Sequence, residues 1–115
     1  MIIYEVNKEK RTVTAYFEGG MEYSLLNMTL KMFGEIPEWA HNFIARALCS
    51  LNGNYAGVAK CSSEDNFDVS IGKAIAKRRL LNKWSSVKRL VLASYRKKIT
   101  HTYNTFMERI SKRYW

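Results

Sequence analysis

A change of hydrophobic period limits this chain more than any other feature. From Arg11 to Phe17 the residues alternate, with Val13, Ala15 and Phe17 on one face and Thr12, Thr14 and Tyr16 on the other. Period 2 of this kind marks a half-buried strand. From Ile71 to Tyr95 the apolar residues recur at helical spacing instead. A chain of 115 residues that switches in this way has room for one small sheet with helices packed on it. The expected class is α+β, in a single domain spanning residues 1–115. An acidic, sheet-containing part covers 1–67 and a basic helical part covers 68–115.

Local signals fill in the elements. Ile2–Val6 is a short β-type run, and Asn7-Lys8-Glu9-Lys10 is a polar turn. Gly19-Gly20 suits a tight hairpin, because glycine tolerates positive φ. Met21–Leu25 then completes an N-terminal meander. Asn27–Phe33 reads as a short helix ending at Gly34. Pro37 fits a helix start, with Ala40, Phe43, Ile44, Ala47 and Leu51 forming one apolar stripe. Tyr55–Lys60 is a further short strand, near 55–60. Asp68 or Ser70 caps a helix with Ile71, Ala74, Ile75 and Leu81 facing inward. Asn82-Lys83 breaks it, and a last helix carries Trp84, Val87, Leu90, Val91, Ser94 and Tyr95 inward. The β-branched cluster Ile99-Thr100-Thr102 marks a kink or an end. The chain therefore closes on two basic C-terminal helices. Phe17, Phe43, Ile44, Val58, Phe67, Ile75, Trp84 and Val91 are the expected core.

Charge follows the same division. Residues 1–72 carry six basic and nine acidic groups, a net −3, whereas residues 73–115 carry thirteen basic groups and one acid, a net +12. The whole chain is at +9. Such a concentrated cation points to an anionic partner: nucleic acid, a nucleotide or an acidic protein surface. The chain's own acidic part is another compensator, in a homodimer for example. With 2 cysteines, 1 proline and 47% hydrophobic residues, the composition excludes a disulfide scaffold, a collagenous chain and a disordered one. No apolar run reaches the roughly 18–20 residues that span a bilayer. The N-terminal residues lack the basic and apolar regions of a signal peptide. The expectation is a cytoplasmic protein with free thiols and no membrane association.

Catalytic chemistry has little to stand on. His41 and His101 are 60 residues apart, outside any metal-ligand spacing, and His41 lies opposite the Ala40/Phe43/Ile44 stripe. Cys49 and Cys61 form no CxxC unit. Cys61 reads as a small buried residue, and Cys49 as pointing away from its helix's apolar stripe. Glu64, Asp65 and Asp68 lack the partner carboxylates and glycine turn of a divalent-metal site, and suit a helix N-terminus better. Neither GxGxxG nor GxxxxGK[ST] occurs, so no glycine loop cradles phosphate. No enzyme, cofactor or metal is expected.

The basic residues carry the functional expectation. The partner-binding set is Lys77, Arg78, Arg79, Lys88, Arg89, Arg96, Lys97 and Tyr103. Arg89, Arg96 and Tyr103 are seven apart, which places them on one stripe opposite Trp84, Val87 and Val91. Arginine forks suit phosphate, and the interleaved aromatics Tyr103, Phe106, Tyr114 and Trp115 offer faces for stacking. A face with mixed charges is ordinarily just solvated. Here one sign predominates thirteen to one.

The run Gly57-Val58-Ala59-Lys60-Cys61-Ser62-Ser63-Glu64-Asp65-Asn66-Phe67-Asp68, followed by Gly72-Lys73-Ala74-Ile75-Ala76, carries a resemblance. It resembles a strand–Cys-x-x-Glu-Asp-x-Phe-Asp-x3-Gly–helix box of small phage and prophage proteins of Gram-positive bacteria. The resemblance implies packing roles for Cys61 and Phe67, a cap at Asp68 and close helix contact at Gly72. Small proteins of this kind include inhibitors of bacterial immunity, both anti-CRISPR proteins and sponges for nucleotide signals. Gly72–Arg79 is also similar to the basic start of the final helix in double-stranded-RNA-binding domains. The helical region at Asn27–Leu51 and the long helix that follows depart from that pattern, so its RNA contacts are not carried over. The implied function is a non-enzymatic phage-type accessory protein that binds nucleic acid or the nucleic-acid channel of a defence effector. The alternatives are an oligomeric sponge for a nucleotide immune signal, and a phage structural or replication accessory protein.

Overall fold

The computed structural model describes residues 1–114, and the side chains of residues 1–113. The order is β1 (Ile2–Asn7), β2 (Thr12–Phe17), α1 (Gly20–Phe33), α2 (Glu38–Cys49), β3 (Gly57–Lys60) and α3 (Val69–Tyr114). The class is α+β, with one three-stranded antiparallel sheet in the order β1-β2-β3. Ile2 pairs with Phe17 at one end of the hairpin and Asn7 with Thr12 at the other. Asn7 Oδ1 accepts from the Lys10 backbone N–H at 3.0 Å, which closes the polar turn. β3 adds to the far edge of β2, with Val13 opposite Ala59.

One face of the sheet is covered. Val13 and Ala15 are fully buried, as the alternation of β2 requires, and Ala59 joins them from β3. Their cover is the first half of α3, where Gly72, Ala76 and Leu80 turn toward the sheet. Small residues on both sides let the two layers come very close. A Cβ on Gly57 would run into the backbone of Ala76 and Leu80, and one on Gly72 would sit 2.6 Å from Val13 Cγ2. Asp68 Oδ1 starts the helix by accepting from the N–H groups of Ser70 and Ile71, at 2.9 and 3.2 Å. That satisfies two of the donors a helix start leaves unpaired.

The second half of the core joins α1, α2 and α3. Met21, Leu25 and Thr29 are buried along α1, and Ala40, Ile44, Ala47 and Leu48 along α2. Val87, Val91 and Tyr95 meet them from α3. Tyr95 is the centre of an aromatic knot, edge-on to Trp39 at 5.4 Å and to Phe33 at 5.6 Å. Its hydroxyl lies 2.6 Å from Thr29 Oγ1. Thr29 gives its own proton to the Leu25 carbonyl at 2.9 Å, so Tyr95 is the donor in the pair. Burial pushes the Tyr95 phenol above its ordinary pKa.

Four expectations need correction. Met21–Leu25 is helix rather than a third strand, and Gly19-Gly20 opens that helix instead of closing a hairpin. Gly19 (φ 79°) is the left-handed N-cap, a geometry as natural to glycine as a turn. The burial of Met21, Leu25 and Thr29 at four-residue spacing outweighs the short alternation, and the expected Asn27–Phe33 helix starts seven residues earlier. Second, the C-terminal region is one helix of 46 residues and not two. Asn82 costs a helix little, and the Leu80, Trp84, Val87 stripe runs unbroken across it. The threonines beyond Ile99 stay helical too, with Thr102 Oγ1 and Thr105 Oγ1 donating to carbonyls one turn back.

Third, the inward face of the first α3 turns is Gly72/Ala76/Leu80, not Ile71/Ala74/Ile75/Leu81. Ile71 is 59% exposed and Ile75 40%. The approach to the sheet has no room for a branched side chain, so glycine and alanine take the contact. Leu90 is likewise exposed. Fourth, Val58 is exposed, because Gly57 and Ala59 are the residues of β3 that face α3. Phe17, Phe43, Phe67 and Trp84 pack at the core's margin, and Ile44 and Val91 lie within it.

Two pairs of variants test this account by urea denaturation. Gly57→Ala drives a methyl into helix backbone and is expected to cost about 3 kcal/mol or more, beyond ordinary overpacking. Gly72→Ala meets the side chain of buried Val13, which must shift, and gains about 1 kcal/mol of helix propensity, so it should cost less than Gly57→Ala, where the obstacle is backbone. A Gly57→Ala variant as stable as wild type would refute the close approach. Thr29→Val orphans the buried Tyr95 hydroxyl, at about 1–3 kcal/mol. Tyr95→Phe leaves Thr29 bonded to Leu25 and should cost less, about 0.5–1.5 kcal/mol. The reverse ranking would overturn the donor assignment.

The same burial sets a pH dependence. A phenol whose folded pKa is raised contributes stability that is full below the unfolded value of about 10 and is lost as pH rises through the folded value. Stability should therefore fall above about pH 10, and less steeply in Tyr95→Phe.

Candidate functional site

The candidate site lies on the solvent side of α3. Lys77, Arg78, Arg79, Lys88, Arg89, Arg96, Lys97 and Tyr103 are all exposed, but they do not form one set. Lys88, Arg89, Arg96 and Lys97 line a single open trough, together with Leu92, His101 and Asn104. All its walls come from one helix, so it is a surface between long side chains and not an enclosed cavity. Arg89 and Arg96 are two turns apart on the face away from Val87 and Val91. Arg78 lies three turns before Arg89 on that same face, about 16 Å along the axis. Lys77 sits on the flank, outside the trough.

Other cations serve the fold. Arg79 Nη1 donates to the Val58 carbonyl at 2.6 Å. Lys83 Nζ donates to the carbonyls of Asn54 and Ala56, at 3.1 and 2.7 Å. These two side chains cover the outer edge of β3 and the loop before it, backbone groups that would otherwise invite another strand. Lys73 Nζ stands 5.6 Å from the Tyr4 ring centroid. Arg79 is therefore placed on the sheet edge, apart from the trough. Tyr103 is apart from it as well, farther along α3, where it lines a separate notch with Trp39, Lys98 and Phe106. The side chain of Tyr114 and the whole of Trp115, expected as further stacking groups, lie outside the described residues.

The loop before α3 is organised by a residue with no sequence signature. Arg11 adopts φ 55° and reaches across from the start of β2. Its Nη2 donates to the Ser62 carbonyl at 3.1 Å and to the Asp65 carbonyl, and lies 3.3 Å from Cys61 Sγ. Its guanidinium also stands 5.9 Å from the Phe67 ring centroid. Cys61 is half-buried and Cys49 exposed, both as free thiols. Glu64, Asp65 and Asp68 do not converge on a common point: among the described residues no group of three or more His, Cys, Asp or Glu could hold a metal ion. No helix among them is long and apolar enough to cross a membrane.

Helical spacing alone could have found the trough, because Ser85, Lys88, Leu92, Arg96, Thr100 and Asn104 follow one another at three or four residues. Arg11 and Lys83 could not have been found that way, since their partners are distant in sequence. The chain matches no protein-family model, no curated protein and no solved structure.

The division of the cations is testable by thermal or urea denaturation. Lys83→Ala removes charged hydrogen bonds from a half-buried site and should cost about 1–2 kcal/mol. Arg89→Ala should stay within about 0.5 kcal/mol of wild type. A Lys83→Ala variant as stable as wild type would remove the structural role assigned to it.

Proposed function

We propose that this chain is a non-enzymatic phage-type accessory protein that acts by binding an anionic partner along α3. The partner is nucleic acid, or the nucleic-acid channel of a bacterial defence effector, as for an anti-CRISPR protein. The observation that carries this reading is the exposed trough with Lys88, Arg89, Arg96 and Lys97 on a single helix. Arg78 extends the same face toward the sheet. A row of cations spaced by helical turns matches a phosphate backbone, or an acidic groove shaped for one, better than it matches a compact ligand. A nucleotide sponge needs several subunits to enclose its ligand, and an open, one-helix trough favours it less.

The test uses fluorescence anisotropy with labelled single-stranded and duplex DNA and RNA, at two salt concentrations. Binding should weaken with salt in proportion to the phosphates contacted. Arg89→Glu/Arg96→Glu should abolish binding, or inhibition of a CRISPR effector, while circular dichroism stays unchanged. Replacement of both arginines with alanine should weaken binding less, because it removes attraction without adding repulsion. Arginine should matter more than lysine wherever the contact is bidentate. A glutamate variant that folds and keeps full binding and inhibition would show the basic face to be only solvated.

A further inference from the structure

The trough on α3 has a floor and two rims. Lys88 and Lys97 are nine residues apart, about two and a half turns, so they project from opposite sides of the helix. Arg89 and Arg96 lie midway between them, about two turns apart on one line. Ala93 and Thr100 continue that middle strip at spacings of three and four. All six line the trough, and all six are exposed. We propose that this strip seats in the major groove of B-form duplex DNA. Arg89 and Arg96 read guanines, and Lys88 and Lys97 hold the phosphates of the two groove walls. The inference rests on the nucleic-acid reading above and names the form of nucleic acid.

Shape is the first argument. A helix with its side chains is about 10–12 Å across. The major groove of B-DNA is about 12 Å wide and the minor groove about 6 Å. The major groove of an RNA duplex is too deep and narrow for side chains to read. α3 meets the body through Val87, Val91 and Tyr95, and the arginine line is on the other side. From Lys88 to Thr100 the strip runs about 18 Å, or about five base pairs at 3.4 Å each. A winding groove parts from a helix beyond such a length, and Glu108, the one acid in α3, lies past it.

Side-chain chemistry is the second. A guanidinium fork matches O6 and N7 of guanine as a pair, whereas an ammonium is a point charge suited to phosphate. Arginine on the middle line and lysine at the rims follow that division. Arg89 and Arg96 are about 10 Å apart along the axis, which spans about three base pairs. Ala93 and Thr100 are short, so the helix backbone comes close to the base edges, and their methyl groups suit the methyl of thymine. A single strand is held by stacking on aromatic rings instead. Among the described residues no Phe, Tyr or Trp lines the trough. Charge is the third: residues 69–107 carry ten cations and no acid, so nothing on this side repels a duplex.

The test is an anisotropy titration of the full chain with a labelled DNA duplex, each of its single strands and the matching RNA duplex. Selection from a randomised DNA duplex pool follows. The DNA duplex should bind at least ~10-fold more tightly than the other forms. Selected sites should carry two guanines about three base pairs apart. Replacing either guanine with 7-deazaguanine, which lacks N7, should weaken binding about 5-fold or more. Arg89→Ala should erase the preference at one guanine and Arg96→Ala at the other. Lys88→Ala and Lys97→Ala should weaken binding to all sequences alike and lower the salt slope by about 1. Circular dichroism should be unchanged in all four. Equal affinity for the duplex and its single strands, equal affinity for the RNA duplex, or a selection with no preferred site overturns the major-groove seat. Each of these leaves phosphate binding along α3 standing. A chain that binds none of the nucleic acids overturns this inference and the nucleic-acid reading together, and leaves the channel of a defence effector as the partner.

Discussion

The contact between Gly57 and the Ala76–Leu80 turn of α3 governs the arrangement of everything else. Backbone meets backbone there, with no side chain between. That closeness fixes the height of the helix over the sheet, so the inward residues must be Gly72, Ala76 and Leu80 and not their larger neighbours. It also turns Val13, Ala15 and Ala59 into a dry layer. Dispersion between such surfaces is small per atom and large in sum, but only where no void remains. The exposure of Ile71 and Ile75 follows from the same constraint: with the small residues inward, the isoleucines one position away face water.

A second clamp holds the helical half. Tyr95 brings α1 and α2 onto α3 through its ring contacts with Phe33 and Trp39 and its hydroxyl on Thr29. A polar group this deep is tolerable because each hydroxyl has a place for its proton, in the order Tyr95 to Thr29 to Leu25 carbonyl. The two clamps lie on the first thirty residues of α3. Past Thr102 the helix has left its body, which accounts for the 74 Å length of a molecule only 22 Å across. The exposed stripe at Ile99–Ile110 is a consequence of this geometry. α1 and α2 are too short to follow α3 to its end.

The cations divide accordingly. Where α3 runs over the sheet, Arg79 and Lys83 turn back to satisfy carbonyls at an open edge, and Lys73 lies over a tyrosine. Where α3 runs beside α2, the solvent side carries Lys88, Arg89, Arg96 and Lys97 in one trough. Net charge is thus a poor guide to which residues meet a partner. A guanidinium over a strand edge has a local task, whereas one on the outer face of a helix is turned wholly to solvent.

Much of this was written in the sequence. The alternation of Val13, Ala15 and Phe17 determined which face of β2 is buried, and the Val87, Val91, Tyr95 spacing determined the inward side of α3 beside α2. Asp68 announced the helix start. Each of these depends on residues close together in the chain, whose periodicity is set by the backbone itself. Tertiary structure decided the rest. Gly19-Gly20 is compatible with a hairpin and with a left-handed helix entry, and only the burial of Met21, Leu25 and Thr29 against distant residues selects the helix. Asn82-Lys83 looks like a break until Lys83 is seen to reach Asn54 and Ala56, some thirty residues away. The phase of α3 over the sheet was unreadable because it depends on Gly57, a residue in another element. Local pattern names an element, but which side of it must be small is fixed by what comes to lie against it.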